Sequence, residues 1–170
     1  IPMKSLLFGK VRGLMFLCLS AFMVFTSFAQ EKNVLKGKKV LIFSATKSFR
    51  HASIGAGTKA LLQLAAEKGF QADTTENSAN FNEKNLKQYR VVIFLNTTGN
   101  VLNDAQQNAF ERYIQAGGAY MGIHAATDTE HDWPWYTKLS GGEFMSHPGR
   151  PNVQMGTFHT TENKHVSTAH

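Results

Sequence analysis

Gly117-Gly118-Ala119-Tyr120-Met121-Gly122-Ile123-His124-Ala125-Ala126-Thr127-Asp128 is the stretch whose reading decides the fold. Its glycine pair closes a helical pattern, and the apolar run from Ala119 to Ile123 reads as a short buried strand. The run stops at His124, flanked by Gly122, Ala125 and Ala126. Small residues around one polar residue let the chain turn sharply and leave that side chain standing at a strand end. This is the geometry of a nucleophile elbow, with histidine in the place of serine or cysteine. Ligands of an open parallel sheet bind beyond the carboxyl ends of its strands, so His124 heads the candidate site residues. The competing reading is a histidine that only hydrogen-bonds a loop.

Upstream, the same pattern repeats. Lys39 to Phe43 is a first buried strand, followed by a polar loop, Ser44 to Ser53, that contains Phe49-Arg50-His51. Ser53 is placed to cap a helix on which Ile54, Leu61, Leu62, Leu64 and Ala65 keep helical spacing until Gly69. Phe70 to Thr75 reads as a more polar strand at or near an edge, and Asn82 to Tyr89 as a short helix with Leu86 inward. Val91 to Leu95 is five apolar residues in a row, ending in the turn Asn96-Thr97-Thr98-Gly99. Asn103 then caps a helix to Ala116 with Ala109, Phe110, Tyr113 and Ile114 on one side. Continuous apolar strands alternating with amphipathic helices give an α/β fold: a doubly wound, mostly parallel sheet covered on both faces.

Beyond His124 the alternation breaks. Trp133-Pro134-Trp135-Tyr136 opens a short helix reaching Leu139, Gly141-Gly142 ends it, and Phe144 to Pro148 carries His147. Val153 to His159 alternates and reads as a strand. The sequence then stops in a polar stretch, which reads as a domain incomplete at its C-terminus.

The first residues belong to a different kind of segment. Lys4, Lys10 and Arg12 precede an apolar run from Leu14 to Phe25, and Ser27-Phe28-Ala29 supplies small residues where a signal peptidase cuts. Residues 1–29, with Met3 as the start, therefore read as a signal peptide, and residues 30–170 as one exported domain, periplasmic or extracellular. The apolar run is short for a membrane anchor. Removing the segment takes the net charge from +6 to +3 and removes Cys18, the sole cysteine. Thiol catalysis and disulfides are thereby excluded. The remaining basic residues are scattered apart from Lys36, Lys38 and Lys39, so nothing points to nucleic acid.

Taken together, Phe49-Arg50-His51 with Ser53-Ile54, Asn96-Thr97-Thr98-Gly99, Gly117-Gly118, Gly122-Ile123-His124-Ala125-Ala126, Asp132-Trp133-Pro134-Trp135-Tyr136 and His147-Pro148 resemble the ThuA-like (trehalose utilisation) proteins. The resemblance runs from Lys38 to the end. It implies a flavodoxin-like sheet of the class I glutamine amidotransferase-like superfamily, a site at the strand ends, and a role in disaccharide or keto-sugar metabolism. It departs from the family at His165-Val166, where members carry His-Pro. The amidotransferases of that superfamily use a cysteine at the elbow; with His124 there, glutaminase activity is excluded.

Three readings follow: a hydrolase or isomerase acting on sugars, a non-catalytic carbohydrate-binding domain, or an interaction domain. For the enzyme, His51, His124 and His147 are the candidate catalytic residues, as acid and base. The same imidazoles, with Asp128 or Glu143 nearby, are candidate ligands for a divalent metal, although no pair has the spacing of a helical metal motif. For a small carbohydrate ligand, Arg50, Asn96, Thr97, Asp128, Trp133 and Trp135 are the candidate contacts. Arg50 serves equally as a salt-bridge residue. The tryptophans either stack on a sugar ring or pin their loop to the core. The oligomeric state is not legible.

Overall fold

Residues 34–151, 153–161, 165 and 168 are described by a computed structural model. The signal segment 1–29, with Met3, Cys18 and the cut before Gln30, lies outside the described residues, as does Val166. Among the described residues no helix is long and apolar enough to cross a membrane.

The strands are β1 (Lys39–Phe43), β2 (Gln71–Thr75), β3 (Val91–Leu95) and β4 (Ala119–Ile123). All pair in parallel, in the order β2-β1-β3-β4, which is the flavodoxin-like winding. The period of two sends alternate residues to opposite faces. Leu41, Phe43, Val92 and Phe94 face one way, against α2 (Glu83–Leu86), α3 (Asp104–Gln115) and α4 (Pro134–Ser140). Val40, Ile42, Ile93 and Leu95 face the other, toward Leu61 of α1 (Ile54–Lys68). The first layer holds the aromatic core, with Phe94 in ring contact with Phe43, Phe81, Phe110, Tyr120 and Tyr136. Each fully buried ring there contributes roughly 1.5–3 kcal/mol.

Helix ends follow their local chemistry. Asn103 and Gln106 form a reciprocal capping box at α3, and Gly69 ends α1 in the left-handed region (φ 70°). Elsewhere the structure differs from the sequence pattern. Ser53 makes no cap bond: its torsion angles are helical (φ −73°, ψ −9°) rather than those of a cap, and its hydroxyl accepts from Asn96 Nδ2 at 2.8 Å. The helix expected over 82–89 shortens to α2, which Asn82 caps by accepting from Asn85 N–H; beyond it Gln88 N–H and Tyr89 N–H bond the carbonyls three residues back, of Asn85 and Leu86, as turns. β4 is less buried than its composition predicts, with Met121 50% exposed. It pairs with β3 alone, and α1, which covers that face over β1 and β3, does not bury Met121. Leu62 and Leu64 of α1 are likewise exposed. The strand expected at 153–159 is absent among the described residues: Val153, Met155 and Phe158 are exposed and find no partner strand.

Candidate functional site

Two strand ends build the site. After β1 the loop 44–53 is fastened to the end of β3: Lys47 N–H bonds Thr98 O at 2.8 Å, and Thr98 Oγ1 donates to Phe49 O at 2.9 Å. The loop thereby presents Phe49 and His51 toward β4. After β4 the chain turns at His124, whose φ of 51° lies in the left-handed region, and enters a 3-10 helix, His124–Asp128. Histidine is among the few side-chain-bearing residues that visit this region at modest cost. Gly122 leaves room for Tyr120 and Ala126 to close over the strand end, since a Cβ there would sit 2.5 Å from Tyr120 Oη and 3.1 Å from Ala126 Cβ. The elbow read from the sequence is therefore present in the backbone.

The two loops meet. The His51 and His124 rings lie 4.6 Å apart, edge to face, and Phe49 packs on His51 in the same manner at 4.9 Å. Opposite them, Phe144 N–H bonds Thr127 O at 2.8 Å, and the Phe144 and His147 rings are 5.7 Å apart. Phe49, His51, His124, Asp128, Phe144 and His147, with Ala125 and Thr127, enclose a cavity of about 500 Å³. All three histidines singled out in the sequence line it, together with Asp128.

The other expected contacts have different partners. Arg50 pairs through both guanidinium nitrogens with the Glu76 carboxylate at 2.6 and 3.2 Å, on the surface. Thr97 is fully buried and shares a hydrogen bond with Thr129 at 2.8 Å. Asn96 is buried, with φ 51°, and its amide nitrogen is spent on Ser53; its Oδ1 has no partner among the described residues. Trp133 and Trp135 stack on each other at 5.0 Å and pack on the aromatic core, so they pin α4 rather than line the cavity. The exposed rings at the cavity are instead Phe49 and Phe144, at 66% and 37% exposure. Nor do the imidazoles form a ligand set: among the described residues no three His, Cys, Asp or Glu side chains are grouped to hold a metal ion.

Two residues that the sequence reading missed hold the site in place. Glu130, fully buried and with φ 57°, accepts from Val101 N–H and Leu102 N–H, both at 2.7 Å, and from Gln107 Nε2 at 2.6 Å. Burial pushes its carboxyl above the ordinary range, against the pull of those donors. His131 stands between two acids, Nε2 at 2.8 Å from Asp128 Oδ1 and Nδ1 at 2.6 Å from Glu143 Oε1. Those bonds, Asp128 first, raise its pKa. Both ring nitrogens face carboxylate oxygens, an arrangement that favours the protonated ring, in which both donate. The acid–His spacing of three residues from Asp128 is a faint sequence signal; Glu143 is named in the sequence as an acid near the imidazoles, but nothing there ties it to His131. Deeper still, Tyr136 donates to Ala126 O at 2.8 Å and meets Tyr120 Oη at 2.9 Å, bracing the 3-10 helix from below.

Comparison with known proteins gives the following. A family model described as ThuA, trehalose utilisation, matches residues 39–170. A solved structure of a ThuA-like protein from Bacteroides uniformis ATCC 8492 is similar at 31% identity and a TM-score of 0.52, over 62% of this chain and 44% of that one. The chain thus spans less than half the length of that relative. No curated protein matches it.

Proposed function

Because the chain belongs to the ThuA (trehalose utilisation) family, we propose that it is an exported enzyme of disaccharide or keto-sugar metabolism, a hydrolase or isomerase without glutaminase activity. The observation that carries this reading is the convergence of His51, His124, His147 and Asp128 on one cavity between the exposed rings of Phe49 and Phe144. Aromatic faces suit the C–H face of a pyranose. Imidazoles titrate near neutrality, so one can take a proton from a sugar carbon, hydroxyl or water while another returns one to an oxygen. Among the described residues no lysine or arginine lines the cavity. That favours an uncharged sugar over a sugar phosphate. An elbow bearing imidazole offers no thiolate, so acyl transfer from glutamine is not its chemistry.

The test is His124→Ala in the full-length protein, assayed with trehalose and a keto-sugar beside a thermal melt. The expected result is a loss of turnover on the order of 10²–10⁴-fold with the melting temperature little changed. Unaltered turnover in a folded variant would refute the catalytic reading. Binding of sugar by the wild-type protein without turnover would make this a carbohydrate-binding domain instead.

A further inference from the structure

We infer that His131 is the positioning residue of this cavity: its imidazolium orients the Asp128 carboxylate toward the ligand and ties down the wall that carries Phe144 and His147. The sugar that Asp128 accepts from rests on the function proposed above; the tie itself rests on geometry alone.

Among the described residues, Asp128 is the one carboxylate lining the cavity. Its backbone is fixed by Gly99 N–H donating to Asp128 O at 2.7 Å, but its carboxylate is still free to rotate. His131 removes that freedom by engaging Oδ1, and among the described residues Oδ2 has no partner. Oδ2 is therefore the atom offered to a ligand hydroxyl. On its far side His131 grips Glu143, the residue directly before Phe144. The segment from Gly142 to Pro148 has neither helix nor strand and is exposed throughout. It follows Gly141, which ends α4 in the left-handed region (φ 81°). Two bonds attach it to the 3-10 helix at its start: Phe144 N–H to Thr127 O, and the His131 bridge from Asp128 to Glu143. The groups facing His131 are those two acids, one from the 3-10 helix and one from the segment. Partly exposed ion pairs add little to global stability. The bridge accordingly matters through geometry: it sets one cavity wall and one acceptor at once.

The experiment compares His131→Ala, which keeps neither bond, with His131→Gln, whose amide donates to one acid, in the full chain. Wild-type nitrogen spectra near neutral pH should show both ring nitrogens of His131 protonated. Amide exchange at Phe144 should quicken roughly three- to tenfold in the alanine variant, the size of two partly exposed pairs, and less in the glutamine variant. Exchange in β1 and β3 should not move. With a sugar substrate, His131→Ala should raise KM severalfold at nearly constant kcat, as loss of an oriented binding group does, with partial recovery in His131→Gln. A neutral His131 ring, or unchanged Phe144 exchange in His131→Ala, would overturn the inference. If Phe144 and the ring behaved as stated but no sugar were bound or turned over, the positioning role would stand and the sugar reading would fall.

Discussion

Glu130→Ala is the substitution that most directly probes how the site is held. The side chain is fully buried and accepts three hydrogen bonds, two of them from the backbone N–H groups of Val101 and Leu102, which are themselves buried. Truncation strands both N–H groups at about 1–3 kcal/mol each, while Gln107, only partly buried, can turn to water. Against this, the variant no longer buries a charge, and the raised carboxyl pKa shows that this burial is unfavourable. The balance is a loss of about 2–4 kcal/mol. Glu130→Gln keeps an acceptor for both N–H groups without the charge, and Gln107 can turn its amide to accept, so the change should stay within about 1 kcal/mol of zero. Urea unfolding of the three proteins, with unchanged slopes, measures both differences. An alanine variant that loses less than about 1 kcal/mol, or a glutamine variant as damaged as alanine, would refute the reasoning.

The pH dependence has a definite sign. The folded pKa of His131 lies above its unfolded value of about 6.5. Its bridge therefore contributes fully below about pH 6.5 and is lost as pH rises through the raised folded value, and protection of the Phe144 amide should fall over that window in wild type but not in His131→Gln. The export reading predicts that the mature protein begins at Gln30; N-terminal sequencing that found Met3 retained would contradict it.

Which parts were readable in advance follows from where the determining forces lie. β1, β3 and α3 declare themselves within a few residues, because burial on both faces demands an unbroken apolar run and a capped helix demands Asn103 and a glycine stop, and β4 is legible from its apolar run alone. His51 and His124 are legible as neighbours because the strand-end loops after β1 and β4 converge in a wound sheet, whereas His147 comes in on a later segment beyond α4. Burial of β4 was misjudged, since exposure depends on what covers a strand and not on the strand itself. Val153 to His159 alternates, but alternation without a partner strand makes no ladder. Trp133 and Trp135 have the composition of a sugar platform, and only packing reveals that they face the core while Phe49 and Phe144 face the cavity. Glu130 escaped because its partners Val101, Leu102 and Gln107 are more than twenty residues away, and His131 because its second acid, Glu143, lies in a segment without periodicity.

The left-handed backbone at His124 sets more than one side chain's direction. Valine, isoleucine and threonine are nearly barred from such torsion angles, while glycine, asparagine, aspartate and histidine tolerate them. Mutation at this position is thus filtered by conformation before any ligand is involved. Asparagine and aspartate each lie one nucleotide change from histidine, and each carries a group able to hydrogen-bond. Descendants of this chain could therefore change what the elbow does to a proton while inheriting the sheet that presents it intact.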